Sequence, residues 1–299
     1  MIMVNFIDRQ NAKAGNYIVN VSCEIFDDVS EIVNINKQRP HLRNRNHLLN
    51  ENIDDFDFFG VHTYNEAEDM ALNGWEEIVE NANFKQFYNN FVGEENKLTK
   101  IKNDVVGYTP IIPNVLKGIP NCMLNTEKRK VKSKVINVVY NISVIASVSQ
   151  EKIMQAGLKL MSAILDLEKQ GFRIRLTAMQ EFSKGRGGGN DETNKNRTDI
   201  LLLHLKNEYK KIDLYSIMFP LIHPAMFRVH GFNWHERSPY CRDLGMGYGT
   251  DFQNVYGQSI QDTLREVLND NHIVVVNCRD ILNNKMSIED IEKQILNLL

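Results

Sequence analysis

Residues 134–180, KVINVVYNISVIASVSQEKIMQAGLKLMSAILDLEKQGFRIRLTAMQ, constrain the fold more than any other stretch. Val135, Ile136, Val138, Val139 and Tyr140 form a nearly continuous apolar run, the pattern of a strand covered on both faces. A short polar loop follows, with Ser147 or Ser149 suited to cap a helix. Ile153, Met154, Gly157, Leu158, Met161, Ile164 and Leu165 then recur at helical spacing until Gly171 stops the run. FRIRLTAM restarts a two-residue period. Strand, crossover helix and strand make a βαβ unit, which predicts a mainly parallel sheet. Further strands are expected at 199–206 and 272–278, with the helices IQDTLREVLNDN and IEDIEKQILNLL completing the tail. The reading is an α/β fold: a doubly wound, mainly parallel C-terminal domain over 132–299 with a smaller α+β N-terminal region over 1–103.

At 299 residues a second folding unit is a fair expectation. Within 1–103, YIVNVSCEIF alternates as a strand, and Thr63 with Glu66 has capping-box spacing before a helix stopped by Gly74. Residues 35–55 run from a basic cluster (Lys37, Arg39, Arg43, Arg45) into Asp54 and Asp55, with Asp57 just beyond, and read as a solvated loop or mobile arm able to contact a partner. Residues 104–131 form a connector. Three prolines and two glycines between Gly107 and Pro120 forbid a long regular element, yet Ile111 to Leu124 is too apolar for a flexible linker. An ordered segment with one helical turn near Pro113, packed against the next domain, is expected.

Net charge is −3, so no whole-molecule pull on nucleic acid is expected; a local contact through Lys128, Arg129, Lys130 and Lys132 stays open. The start of the chain lacks a secretory pattern, no apolar run approaches membrane-spanning length, and four cysteines stand singly. A cytoplasmic protein without membrane contact is expected.

No complete catalytic motif is present. SKGRGGGN, with Lys184 and Arg186, lacks the Gly-Lys-Ser/Thr of a nucleotide cradle and reads as a surface loop suited to partner contact. His223, His230 and His235 are spaced by seven and five residues, unlike metal-binding helices, and read first as structural. His204, alone in an apolar strand, reads as a core residue, and the glycines of LGMGYGTD lack the strand–helix frame of a dinucleotide site.

The order apolar strand, Asn141-Ile142-Ser143, polar loop, long helix, Leu-Glu-x-x-Gly and apolar strand resembles a von Willebrand factor type A-like domain. In that family the first strand ends in an Asp-x-Ser-x-Ser metal-adhesion motif. Here Asn141 and Ser143 occupy matching positions and Ile145 replaces the last serine, which implies a divalent-metal site lost or much weakened. Residues Tyr64–Trp75 and Gly107–Asn121 resemble uncharacterised phage-encoded proteins, implying a host-cytoplasm setting. Two function classes follow. The first is a non-catalytic protein that binds another protein through its arm and loops, with homo-oligomerisation open and no cofactor. The second is a nucleotide- or metal-binding enzyme using Asn141, Ser143 and Ser147, with His230 or His235; it requires these side chains to converge.

Overall fold

The computed structural model describes residues 5–14, 17–39, 53, 55–89, 101–126, 135–183, 197–209, 212–237 and 253–297. Among them are strands β1 (Asn5–Ala14), β2 (Tyr17–Phe26), β3 (Ile101–Asp104), β4 (Thr109–Pro110), β5 (Met123–Thr126), β6 (Val135–Asn141), β7 (Arg173–Ser183), β8 (Arg197–Lys206) and β9 (Ile273–Asn277). The helices are α1 (Val29–Gln38), α2 (Phe56–Phe59), α3 (Tyr64–Asn73), α4 (82–89), α5 (Ile112–Leu116), α6 (Gln150–Lys169), α7 (Leu214–Ile222), α8 (Phe232–Arg237), α9 (Gln253–Val267), α10 (Cys278–Asn283) and α11 (Ile288–Asn297). A π-helix, Met226–Gly231, runs directly into α8.

The main sheet has the order β1-β2-β8-β7-β6-β9. The β2–β8, β7–β6 and β6–β9 ladders are parallel; β1–β2 and β7–β8 are antiparallel. The expected α/β fold with a mainly parallel sheet is therefore present. The structure departs from the sequence reading in one topological respect. The strand read from YIVNVSCEIF pairs along β8 rather than within a separate N-terminal unit, so β1 and β2 complete the sheet of the C-terminal half.

Each face of the sheet carries its own apolar layer. Ile136, Val138 and Tyr140 of β6 pack with α6, α7 and α11. Farther along the same face, Phe26, Leu201, Ala178 and Phe182 meet α1, α3, the π-helix and α8. The opposite face places Val139, Met179, Ile200 and Leu202 against Ile260 and Leu264 of α9. Burial on both faces explains why β6 and β8 read as continuous apolar runs rather than alternating ones.

Local chemistry sets the helix ends. Thr63 Oγ1 accepts from Glu66 N at 3.1 Å, and the Glu66 carboxylate accepts from His62 N at 2.7 Å, which starts α3. At α11, Ser287 and Asp290 bond reciprocally. Helix α7 stops at Ile222 because the next residue, His223, precedes Pro224, whose ring excludes helical backbone there; His223 is extended at φ −81° and ψ 128°. Helix α1 runs to Gln38, so the beginning of the segment read as an arm is helical and Asn36 is buried; residues 40–52 and 54 lie outside the described residues.

Gly157 permits a close approach, but of α6 to α7 rather than to the sheet: a Cβ there would lie 2.1 Å from Ile222 Cγ2. Substituting alanine improves helix propensity by about 1 kcal/mol, whereas overpacking a dense core costs about 1–3 kcal/mol. Gly157→Ala is thus expected to lower stability in urea denaturation, and a stabilised variant would contradict this packing.

Candidate functional site

The polar residues at the end of β6 fall where α/β sheets commonly bind ligands. Asn141 closes the strand, and Ile142 N continues the ladder to Met179 O at 2.9 Å. Asn141 Oδ1 accepts from Ser143 N at 3.0 Å and its Nδ2 lies 3.5 Å from Glu181 Oε2. Ser143 Oγ accepts from Glu181 N at 2.7 Å and donates to Glu181 O at 3.3 Å. All three residues are buried, and they tie the end of β6 to the end of β7.

A second polar cluster spans β2, β8 and α8. Ser22 and Asp199 are register partners, and the Ser22 hydroxyl donates to the Asp199 carboxylate. His235 Nε2 lies 3.7 Å from Asp199 Oδ2, and its ring stacks on Phe182 at 4.1 Å. Glu24, two residues along β2, accepts the indole N–H of Trp234 and both arms of the Arg39 guanidinium. Arg39, read from sequence as a partner contact, is engaged inside the fold.

Strand alternation decides whether these clusters can cooperate. Asn141 is opposite Met179, and Ser143 and Glu181 follow at two-residue steps, so all three belong to the face that carries α9. Ser22, Asp199 and Phe182 are mutual register partners on the opposite face, where α8 supplies His235. The sheet itself therefore separates Asn141 and Ser143 from His235. Ser147 is exposed in the turn closed by Val148 N to Ile145 O. His230 points elsewhere, with Nε2 2.9 Å from Ala67 O of α3. Of the five residues read as a tentative site, the structure joins Asn141 and Ser143. Lys128, Arg129, Lys130 and Lys132 lie outside the described residues, as do Arg43, Arg45, Lys184 and Arg186.

Glu181 and Asp199 were missed by the sequence reading. Their signal is a carboxylate at the boundary of an otherwise apolar run, in LTAMQEF and TDILLL. The π-helix was missed as well. Its carbonyls are met by side-chain amides: Gln180 donates to Phe227 O, Asn233 to Val229 O and Asn36 to His230 O, each at 2.9 Å. Gly231 is required beside it, because a Cβ there would stand 1.7 Å from Gln180 Oε1. Arg228 donates to Phe58 O at 2.6 Å and Val148 O at 3.0 Å, fastening the loop after β6 to α2; burial lowers its pKa to about 10, so it stays charged at neutral pH.

At the other end of the sheet an open groove of about 470 Å³ is lined by Asp27, Asp28, His204, Asp213 and Tyr215 among others. Asp28 and Asp213 cap α1 and α7 by accepting from Ser30 N and Tyr215 N. His204 is exposed here rather than buried, and its Nδ1 is 3.1 Å from Thr177 Oγ1. Among the described residues no group of three or more His, Cys, Asp or Glu side chains could hold a metal ion. Burial pushes the Cys278 thiol up to about 11 and the Cys23 thiol higher still, so neither is an activated nucleophile.

Burial pushes the His223 pKa down to about 3, with repulsion from His230 adding to it, and that of His230 to about 4 despite its bond to Ala67 O. In the unfolded chain both protonate near 6.5. The folded state refuses protons that the unfolded state binds, so stability is full above pH 6.5 and drains as pH falls toward 3. Urea midpoints should decline over that window; a flat profile would show that the two rings accept protons in place.

No helix among the described residues is long and apolar enough to cross a membrane. No curated protein and no solved structure matches the chain. The profile of a domain of unknown function, DUF7192, matches residues 9–296, a span that runs from within β1 to within α11. The sheet that joins the first strands to the last helices is therefore the fold of a family: the chain belongs to the DUF7192 family.

Proposed function

We propose that this is a non-catalytic protein that binds another protein, and that residues 101–126 carry the contact. The supporting observation is a concentration of exposed apolar side chains. Val105, Val106, Tyr108, Ile112, Leu116 and Ile119 are all exposed, Leu116 at 82% and Val106 at 72%. The sequence reading packed this segment against the next domain. Instead, none of its side chains enters the three apolar clusters formed by the described residues. Apolar surface gathered in this way on a soluble fold usually marks an interaction site.

The segment is built to hold those residues in place. Strand β5 pairs antiparallel with β3 and with β4, giving a three-stranded sheet. Tyr108 N donates to Leu124 O at 2.9 Å and Ile111 N to Cys122 O at 2.7 Å. Gly107 lies so close to the facing strand that a Cβ would be 2.0 Å from Leu124 O. Fully burying one large aliphatic side chain contributes about 1.5–3 kcal/mol, so a few of these residues would suffice for a specific contact. The mutual bonding of Asn141, Ser143 and Glu181 favours a structural role for that cluster. The resemblance to phage-encoded proteins, with a degenerate von Willebrand factor type A-like domain, favours a host-cytoplasm setting.

The test is affinity capture from the native source with wild type and with Leu116→Asp. An exposed position should change stability by no more than about 0.5 kcal/mol. A stoichiometric protein retained by wild type and lost from the variant is expected; equal retention would move the contact elsewhere. The second reading, a ligand site at the β6 edge, rests on the buried Glu181 beside Asn141 and Ser143. It requires MgCl2 or MnCl2 to raise the Tm, whereas the interaction reading expects no shift.

A further inference from the structure

We infer that the groove at the carboxyl ends of β2 and β8 is a second docking surface, taking a protein segment that sets a basic side chain beside an aliphatic one. The inference does not rest on the contact read from residues 101–126, and no residue lining the groove belongs to that module. Strands β2 and β8 run parallel, and α1 and α7 follow their carboxyl ends, where open α/β sheets commonly receive ligands. The space of about 470 Å³ is far larger than a metal ion and lies in the range of pockets that hold sizeable ligands. Its lining is partly apolar. Leu203, Ile217 and Pro220 contribute from buried positions, while Leu72 and Tyr215 remain 46% and 43% exposed.

Charge decides what the groove accepts. Asp27, Asp28 and Asp213 line it, and all three are exposed. Capping bonds hold the carboxylates of Asp28 and Asp213 in place. That of Asp27 faces the His204 ring at 4.0 Å. His204 does not neutralise it at pH 7, because burial holds the ring below its ordinary pKa of 6.5, with Asp27 opposing and Arg175 adding. Lys206, the lysine of the lining, already lies 2.6 Å from Glu168 and donates to Ile174 O and Asn207 O. The N-termini of α1 and α7 bring about half a positive charge each, and the C-terminus of α3 about half a negative one. No basic residue stands in the last turn of α3. Three full carboxylate charges outweigh these dipoles, so the groove is negative and its complement is a guanidinium or ammonium group. Arginine uses more of the lining than lysine, since its planar head also stacks on an exposed tyrosine ring. A metal ion would use none of the apolar lining, and no group of three or more His, Cys, Asp or Glu among the described residues could hold one.

The experiment uses the full chain and fluorescence anisotropy with a labelled Leu/Arg peptide and its Leu/Glu counterpart. Unlabelled spermidine and MgCl2 serve as competitors. The Leu/Arg peptide is expected to bind at least about tenfold tighter than the Leu/Glu peptide and to weaken as salt rises. Asp27→Lys should weaken it about tenfold and Leu72→Ser to a smaller extent. Both positions are exposed and neither caps a helix, and unchanged far-UV circular dichroism would confirm that both variants fold. Equal binding of the two peptides, or of wild type and Asp27→Lys, would overturn the inference. Loss of binding in Leu116→Asp with none in Asp27→Lys would move the peptide to residues 101–126, overturning the groove while supporting the contact proposed above. Displacement by spermidine or MgCl2 at the peptide's own concentration would assign the groove to a small cation and overturn the protein occupant. Binding of neither peptide would overturn the inference, leaving the capture experiment to decide the contact at 101–126.

Discussion

The antiparallel return of β8 along β7 is the constraint from which the remaining architecture follows. It presents the apolar run Ile200–Leu203 with one edge paired and the other open. An apolar strand cannot leave a row of backbone amides unpaired in the interior, so a further strand must lie there. β2 supplies it from the start of the chain, in parallel, and β1 then closes onto β2. That pairing brings Ser22 beside Asp199 across 177 residues of sequence and sets Glu24 within reach of Trp234 and Arg39. The helices arriving from α1 and α3 then find an apolar floor of Phe26, Leu201 and Phe182.

The same arrangement accounts for the buried polar groups. A carboxylate removed from water needs hydrogen bonds or opposite charge. Asp199 finds the Ser22 hydroxyl, Glu24 finds a guanidinium and an indole, and Glu181 lies beside the Asn141 amide. Distributed over the two faces of the sheet, these groups hold elements together instead of assembling one reactive centre. The π-helix is handled in the same manner, with amide side chains from α1, β7 and α8 meeting carbonyls that its wider turn leaves exposed. Among the described residues, exposed large apolar side chains are most numerous in the module of residues 101–126, with others at Phe56, Leu72, Ile145, Tyr209 and Tyr215.

Elements with strong local signals were legible from sequence. Helix α6 and its neighbours β6 and β7 follow from apolar spacing and the Gly171 stop, and α3 and α11 from their caps. Long-range choices were not legible. Nothing in YIVNVSCEIF specifies that its partner is β8, because pairing register is decided by the complete sheet. Gly157 announces a close approach without naming the helix that makes it. His204 looked buried because its neighbours are apolar, yet it sits where β8 emerges beside the groove. The apolar residues of 105–119 expose the deepest limit: hydrophobicity requires burial but does not say whether the covering surface belongs to the same chain.

Hydroxyl-radical footprinting tests the central claim most directly, comparing the purified protein with the same protein in an extract of its native source. Labelling at Val106, Tyr108 and Leu116 should be strong in the purified chain and suppressed in the extract, while the buried Tyr140 stays protected in both. Unchanged labelling of the 105–119 residues in the extract would contradict the account, because no partner would then be covering the surface on which it depends.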